Sequence, residues 1–244
     1  MIDKTAIVSL KAQIGNNVTI GPFSIIYDNV EIGDNTEIAS YCEIGVPSEL
    51  SNQKKLRIGE NSIIRSHSVF YESSTFGNKL ITGHRVTVRE HTNAGENLQI
   101  GTLTDIQGDC NIGNFVRLHS NVHIGKMSQI SDFVWIYPYC VLTNDPHPPS
   151  ETLKGVCINR FAVIATMSVI LPGVVIGEGA LIGAHSMVNK NAEANMIYSG
   201  NPATKIGPTS RIKLSDGSRK AAYPWINHFM RGYPKEVLNQ WKLI

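Results

Sequence analysis

The sequence predicts an all-β fold, a coil of short strands that turns at fixed intervals of six residues. Three observations predict it: a beat of aliphatic residues, a beat of small residues in step with it, and Gly and Asn between them. From Ile2 every sixth residue is aliphatic: Ile2, Val8, Ile14, Ile20, Ile26, Ile32, Ile38, Ile44. The beat restarts at Ile58 and runs through Phe70, Val88, Ile112 and Ile130 to Leu142, then from Ile158 to Ala194. Of these 30 positions 25 are Ile, Val or Leu, although those residues number 61 of 244; composition alone gives about 7 or 8. A period of six fits neither a helix nor a two-faced strand, so the repeating unit is supersecondary.

Four residues after each aliphatic comes a small or β-branched residue, among them Ala12, Val18, Ser24, Cys42, Thr104, Cys110 and Cys140. Gly often follows the aliphatic directly (Gly15, Gly21, Gly33), and Asn often stands two residues later (Asn17, Asn35, Asn61). Both accept left-handed backbone, which a tight corner requires. Each hexad therefore reads as a short strand and a turn, with the aliphatic and its small partner inward and the remainder outward.

This pattern resembles the hexapeptide-repeat family, whose fold is a left-handed parallel β-helix with three hexads per triangular coil. The resemblance implies about ten coils, hence a prism about 48 Å long at a strand spacing of about 4.8 Å. It also supplies the left hand, against the usual rule for parallel crossovers. Residues 1–206 form the expected β-helix domain and 207–244 a tail. Two loops interrupt the beat, near 45–57 and 143–157, adding eight and ten residues to the frame. Loops that leave a rigid scaffold are natural carriers of function. The tail holds Trp225, Trp241 and a short helix expected to open near Pro234. It is expected to cap the open edge of the last coil or to pack on a neighbouring subunit.

Composition narrows the class. A net charge of +2 with 17% charged residues leaves no basic tract for nucleic acid. There is no N-terminal hydrophobic segment of signal or membrane length, so the expectation is a cytoplasmic enzyme with no membrane partner. Cys42, Cys110 and Cys140 occupy the small inward position and Cys157 precedes the inward Ile158. They read as core residues, not as a disulfide or metal set.

The segment VILPGVVIGEGALIGAHSMVNKNAEANMIYSGNPATKIG (169–207) resembles the closing part of acetyl-CoA-dependent hexapeptide acyltransferases. That resemblance implies a homotrimer with coenzyme A lying along the prism between two subunits. It places Ala165, Thr166, Gly183 and Ala184 against the pantetheine arm, Lys190 and Lys205 at the phosphates, and Asn201, Pro202 and Ala203 at the adenine. Many relatives have Gly at the position of Ala165 and a different triplet at Ala184-His185-Ser186.

The segment 111–150 resembles sugar-nucleotide N-acyltransferases, which carry a Ser-Asn-Val run followed one coil later by a Thr-Asn-Asp-x-x-Pro loop. Here these are Ser120-Asn121-Val122 and Thr143-Asn144-Asp145 with Pro148; His119 stands where relatives often have Gln. The upstream segment also resembles the UDP-N-acetylglucosamine O-acyltransferase of lipid A synthesis. The implied reaction moves an acetyl group from acetyl-CoA to the amino group of a nucleotide-linked amino deoxysugar, for surface glycan or lipopolysaccharide synthesis. The alternative is acetyl transfer, or acyl transfer from an acyl carrier protein, to a sugar hydroxyl.

Such a reaction needs a proton acceptor and a fixed donor for the oxyanion, and no metal. Residues 18 apart stack in successive coils, which sets Asp105 below His123 and Tyr137 above His119. His119 or His123 is the expected base, with Asn121 positioning the sugar or the acyl oxygen. Asn121 also fills a corner position where Asn serves conformation alone. His147 is the rival base, because its His-Pro loop resembles that of galactoside and maltose O-acetyltransferases. Tyr137, Asn144, Asp145 and Glu90 are candidate substrate contacts, with a solvated turn as the plainer reading of Glu90. A zinc triad, as in γ-class carbonic anhydrases, is disfavoured because the histidines miss that family's spacing. A non-catalytic β-helix subunit is disfavoured by the closing segment.

Overall fold

In a computed structural model, which describes residues 1–241, the chain winds into a three-sided parallel coil; the last three residues of the tail, 242–244, lie outside that description. Almost every hexad contributes a strand of two or three residues. Face 1 runs from Thr19–Ile20 to Leu181–Ile182, face 2 from Ile7–Val8 to Met187–Val188, and face 3 from Gln13–Ile14 to Val175–Ile176. The three sheets hold eleven, ten and nine strands, so the coil makes ten to eleven turns. Parallel pairing follows the 18-residue register throughout, as in Thr19↔Glu37, Asp105↔His123 and Arg117↔Trp135. Across the two loops the register lengthens without losing phase, to Ile44↔Phe70 and Leu142↔Ile170.

The expected inward residues are the core. Ile26, Ile44, Phe70, Ile106, Ile136 and Ile176 are fully buried, as are Cys42, Cys110 and Cys140 beside them. Burial pushes the Cys110 thiol up to about 11, so it remains protonated and unreactive. The inward hydroxyls are satisfied by backbone carbonyls: Ser24 donates to Ala39 at 2.7 Å and Ser62 to Gly59 at 2.7 Å. The beat fails at its ends. Ile2 is half exposed on the first coil, and Ala194 points outward while Ala192 takes the inward place beside Ile176.

Gly and Asn divide the work of the corner differently from the expectation. The left-handed residue is the third after each aliphatic, and it is Asn at 17, 35, 61 and 97 but also Phe23, Tyr41, Arg85, Leu103 and Met127. Apart from Gly45, where the first loop departs with φ of 86°, the glycines directly after the aliphatics have no positive φ. They provide clearance: a Cβ on Gly33 would lie 2.6 Å from the amide nitrogen of Glu60 in the next coil. The side chain is excluded because adjacent backbones stack too closely to admit it.

Both loops leave at one edge, between faces 2 and 3. The first, 47–55, folds over the next two coils and buries their glutamates. Ser51 donates to Glu72, and Asn29 Nδ2 reaches the same carboxylate at 2.8 Å. Ser48 donates to Glu90, which also receives Arg89 Nε at 2.9 Å. The tail does not cap the coil. An antiparallel hairpin, Met196–Gly200 with Ala203–Pro208, closes the face 1 edge of the last turn. The chain then turns back along face 1, and helix α1 (Lys235–Trp241) begins directly after Pro234 as expected. Trp225, Tyr233, Val237 and Trp241 cover a stacked ladder of Phe115, Phe133 and Phe161, with ring centroids 5.4 and 5.3 Å apart. A corner that stacks apolar rings in successive coils must be covered, and the tail covers it within the same chain.

Two outcomes follow. Gly101→Ala drives a Cβ into the backbone of His119 and Ser120 and is expected to cost about 1–3 kcal/mol by overpacking, read as a lowered thermal midpoint. Ser51→Ala leaves the buried Glu72 short of a donor, at about 1–3 kcal/mol. Tryptic cleavage after Lys54 and Lys55 should accelerate in that variant, and an unchanged cleavage rate would show that the serine does not hold the loop.

Candidate active site

Residues 119–122 form the corner at which the chain passes from face 1 to face 2. Arg117–Leu118 is the last strand before it and His123–Ile124 the first after it. Asn121 takes the left-handed position with φ of 58° and Val122 fills the inward one. His119 and His123 therefore leave the same corner toward different faces.

His119 is partly buried and lies flat on Tyr137, with centroids 4.5 Å apart and an interplanar angle of 15°. Trp135 stands beside it at 5.9 Å. Burial disfavours the imidazolium and holds the His119 pKa below its ordinary value of 6.5, so the ring is neutral at pH 7. On face 2, His123 Nδ1 lies 3.1 Å from Asp105 Oδ2, the stacking that the 18-residue register anticipates. Partial burial works against the Asp105 carboxylate, but the bonds from His123 and Gln107 prevail and keep its pKa below the usual range. An imidazole so held presents Nε2 outward as its free nitrogen.

His119 borders two spaces. One is a cavity of about 360 Å³ between face 1 and the returning tail, with Trp135 and Tyr137 on its floor and Tyr223, Trp225 and Phe229 opposite. The other is a shallow groove of about 320 Å³ along face 1, bounded by Arg65, Thr102 and Ser120. His119 and Trp135 line both. A neutral acceptor between two accessible spaces can serve two molecules that meet there. Tyr137 stacks on His119, as the 18-residue register anticipates.

The expected cofactor residues fall largely in one column. Ala165, Thr166, Gly183 and Ala184 occupy the same edge as Asn121 in the following coils, and the hairpin tip at Asn201, Pro202 and Ala203 surmounts it. Gly200 N donates to Ser186 Oγ at 3.2 Å, and Gly183 has no room for a Cβ beneath Ser199. Lys190 lies apart, on the edge between faces 2 and 3. Lys205 Nζ is engaged by Glu193 at 2.6 Å.

Other expected residues do not converge on His119 within the chain. Asn144, Asp145 and His147 lie on the second loop, at the far edge of face 2. Asp145 shapes that loop by accepting the amides of His147 and Ser150, each at 3.0 Å. Glu90 is neither a solvated turn nor open to a substrate. It is 3% exposed beneath the first loop, because Ser48 and Arg89 satisfy its carboxylate there.

Two features escape the hexad reading. Arg117 points outward on face 1 yet is 5% exposed, donating to the backbone and side-chain oxygens of Asn97 beneath Tyr233. The tail residues of the cavity are the other. Their signal was present in the outward positions of face 1: Trp135, Val163 and Leu181, beside the Phe115–Phe133–Phe161 ladder, are too apolar for a solvated face.

Residues 11–45 match the model of the bacterial transferase hexapeptide family, described as six repeats. An acyl-[acyl-carrier-protein]–UDP-N-acetylglucosamine O-acyltransferase from Thermodesulfovibrio yellowstonii is 31% identical over 156 residues, 55% of this chain and 56% of that protein. A chloramphenicol acetyltransferase from Klebsiella aerogenes is 29% identical over 103 residues, 39% of this chain and 49% of its own length. The chain thus spans about half the length of the curated relatives it matches. The solved UDP-N-acetylglucosamine acyltransferase of Arabidopsis superposes with a TM-score of 0.64 at 19% identity, covering 85% of this chain and 74% of that one. At that identity the likeness speaks to the fold. The beat of six, the three-sided parallel coil that it builds and the match over residues 11–45 make this a chain of hexapeptide repeats, similar over 39% and 55% of its length to two acyltransferases.

Proposed function

We propose that the protein transfers an acetyl group from acetyl-CoA to the amino group of a nucleotide-linked amino sugar, with His119 as proton acceptor. The observation that carries the reading is the place of His119, neutral and open to two separate spaces. The amine nitrogen attacks the thioester carbonyl carbon, a C–N bond forms, and the nitrogen's proton passes to His119. Collapse of the tetrahedral intermediate breaks the C–S bond, and the departing thiolate takes the proton back. Holding both reactants at one site removes much of the entropic barrier, and Asn121 is the candidate donor to the oxyanion. Coenzyme A would lie along the column of Ala165, Thr166, Gly183 and Ala184, with a second subunit of a homotrimer closing the groove. Among the described residues no helix is long and apolar enough to cross a membrane; a cytoplasmic site of action is part of the proposal.

Transfer to a sugar hydroxyl is the second reading, and the His123–Asp105 pair favours it. An amine attacks as its own free base, whereas a hydroxyl must lose its proton as it attacks and gains more from a carboxylate-supported imidazole. The likeness to an acyl-carrier-dependent O-acyltransferase supports it as well.

A panel of nucleotide amino sugars with acetyl-CoA, read by free-thiol release, separates the two: turnover of a hydroxyl acceptor alone would sink N-transfer. His119→Ala is expected to lower kcat by about 10²–10⁴-fold, and unchanged turnover would remove His119 from the mechanism. Because burial depresses its pKa, the base is lost only as the pH falls through a value below 6.5. The acid limb of kcat/KM set by the enzyme should therefore lie below pH 6.5 and vanish in His119→Ala, while any limb set by protonation of the acceptor amine stays in both. His123→Ala should leave N-transfer largely intact and depress O-transfer.

A further inference from the structure

The cavity between face 1 and the tail is far larger than an acetyl group requires, and its volume of about 360 Å³ lies in the range of small-molecule sites. We propose that it seats the planar ring of the acceptor, the nucleobase of a nucleotide-linked sugar, with Arg231 at its rim receiving the adjoining phosphate. The identity of that acceptor rests on the proposed function; the preference for a flat, polar-edged anion rests on the lining itself.

The walls are rings set on edge to one another. Trp135 meets Phe229 at 5.4 Å and 89° and Trp225 at 6.0 Å and 76°. A flat molecule laid on one of these faces is met by the edges of the others, the geometry that aromatic pairs favour. The lining also carries polar tips that an alkyl chain would leave unmatched. His228 Nε2 lies 2.7 Å from the carbonyl oxygen of Ala222. A carbonyl only accepts, so Nε2 bears a hydrogen, and Nδ1 is the ring nitrogen left to face a ligand. Arg231 is exposed, lies 5.9 Å from the Phe229 ring centroid and forms no ion pair among the described residues. Its guanidinium fork is suited to a phosphate. The floor of the cavity is Tyr137 with His119 stacked upon it, so a base seated here leaves the attached sugar close to the proposed proton acceptor.

The test uses the full chain and follows its tryptophan fluorescence, because Trp135 and Trp225 line the cavity. UDP, dTDP and GDP are titrated separately, with inorganic pyrophosphate and a long-chain acyl-CoA as comparators. At least one nucleoside diphosphate should quench the emission and bind about tenfold or more tightly than pyrophosphate, a margin of about 1.4 kcal/mol. Arg231→Ala should weaken that binding about tenfold, and Phe229→Leu should weaken it without altering the far-ultraviolet circular dichroism. Nucleoside diphosphates that bind no better than pyrophosphate, or equally well in both variants, would overturn the proposal. So would quenching by the acyl-CoA alone, lost in Phe229→Leu, which would assign the cavity to an acyl chain. Base-dependent quenching without transfer to any nucleotide sugar leaves the cavity assignment standing and removes the proposed reaction. Transfer with an unaltered KM in both variants does the reverse.

Discussion

Everything in this molecule depends on the hydrogen bonds that lock each coil onto the one before it. A parallel ladder satisfies every backbone group of a two-residue strand only if the next coil repeats its path. The inward residues of three short strands are too few to make a core alone. Stacked through ten or more turns they make one continuous rod of aliphatic side chains, each turn supported by its neighbours. The ladder also forces backbones into such proximity that the first corner residue must often be glycine, as at Gly33 and Gly101. Position 101 shows what this means for function, since the glycine there lies against the backbone of His119.

The stacking also explains the division of the site. An imidazole at the start of a corner and another at its end are four residues apart, yet they serve different faces and different surroundings. His119 meets aromatic rings and a tail that desolvate it; His123 meets a carboxylate one coil below. One corner thus carries an imidazole desolvated by aromatic rings at its start and an imidazole held by a carboxylate at its end.

Much of the coil was legible because one period governs it. The inward positions, both loop exits and the stacking of Asp105 on His123 follow from counting by six and eighteen. What lacked a period was harder to read. Glu90 looked like an exposed corner residue because nothing local indicates that Ser48, 42 positions earlier, would cover it. The tail was expected at the end of the prism or on a neighbouring subunit, and it lies along the side of its own prism. Its docking is decided by shape and aromatic contact between distant segments, and hexad counting registers only the inward set. The corner asparagines were misleading in another way: the fold needs a left-handed residue there, but Phe23, Leu103 and Met127 meet that need as well. Asn at such a corner therefore carries less conformational meaning than its frequency implies.

Both insertions emerge at the same edge, and neither has a length divisible by six. After each, the chain re-enters the coil in phase, since the next strand is aligned by the ladder beneath it and not by the residue count behind it. The β-helix is in this sense self-indexing. Changes of length at the edge between faces 2 and 3 are absorbed where they arise, leaving the edge between faces 1 and 2, with His119 and the column of Ala165, Thr166, Gly183 and Ala184, undisplaced. A lineage carrying this scaffold can vary the length of one border of the prism, within what the loops there must cover, while the register of the other is inherited intact.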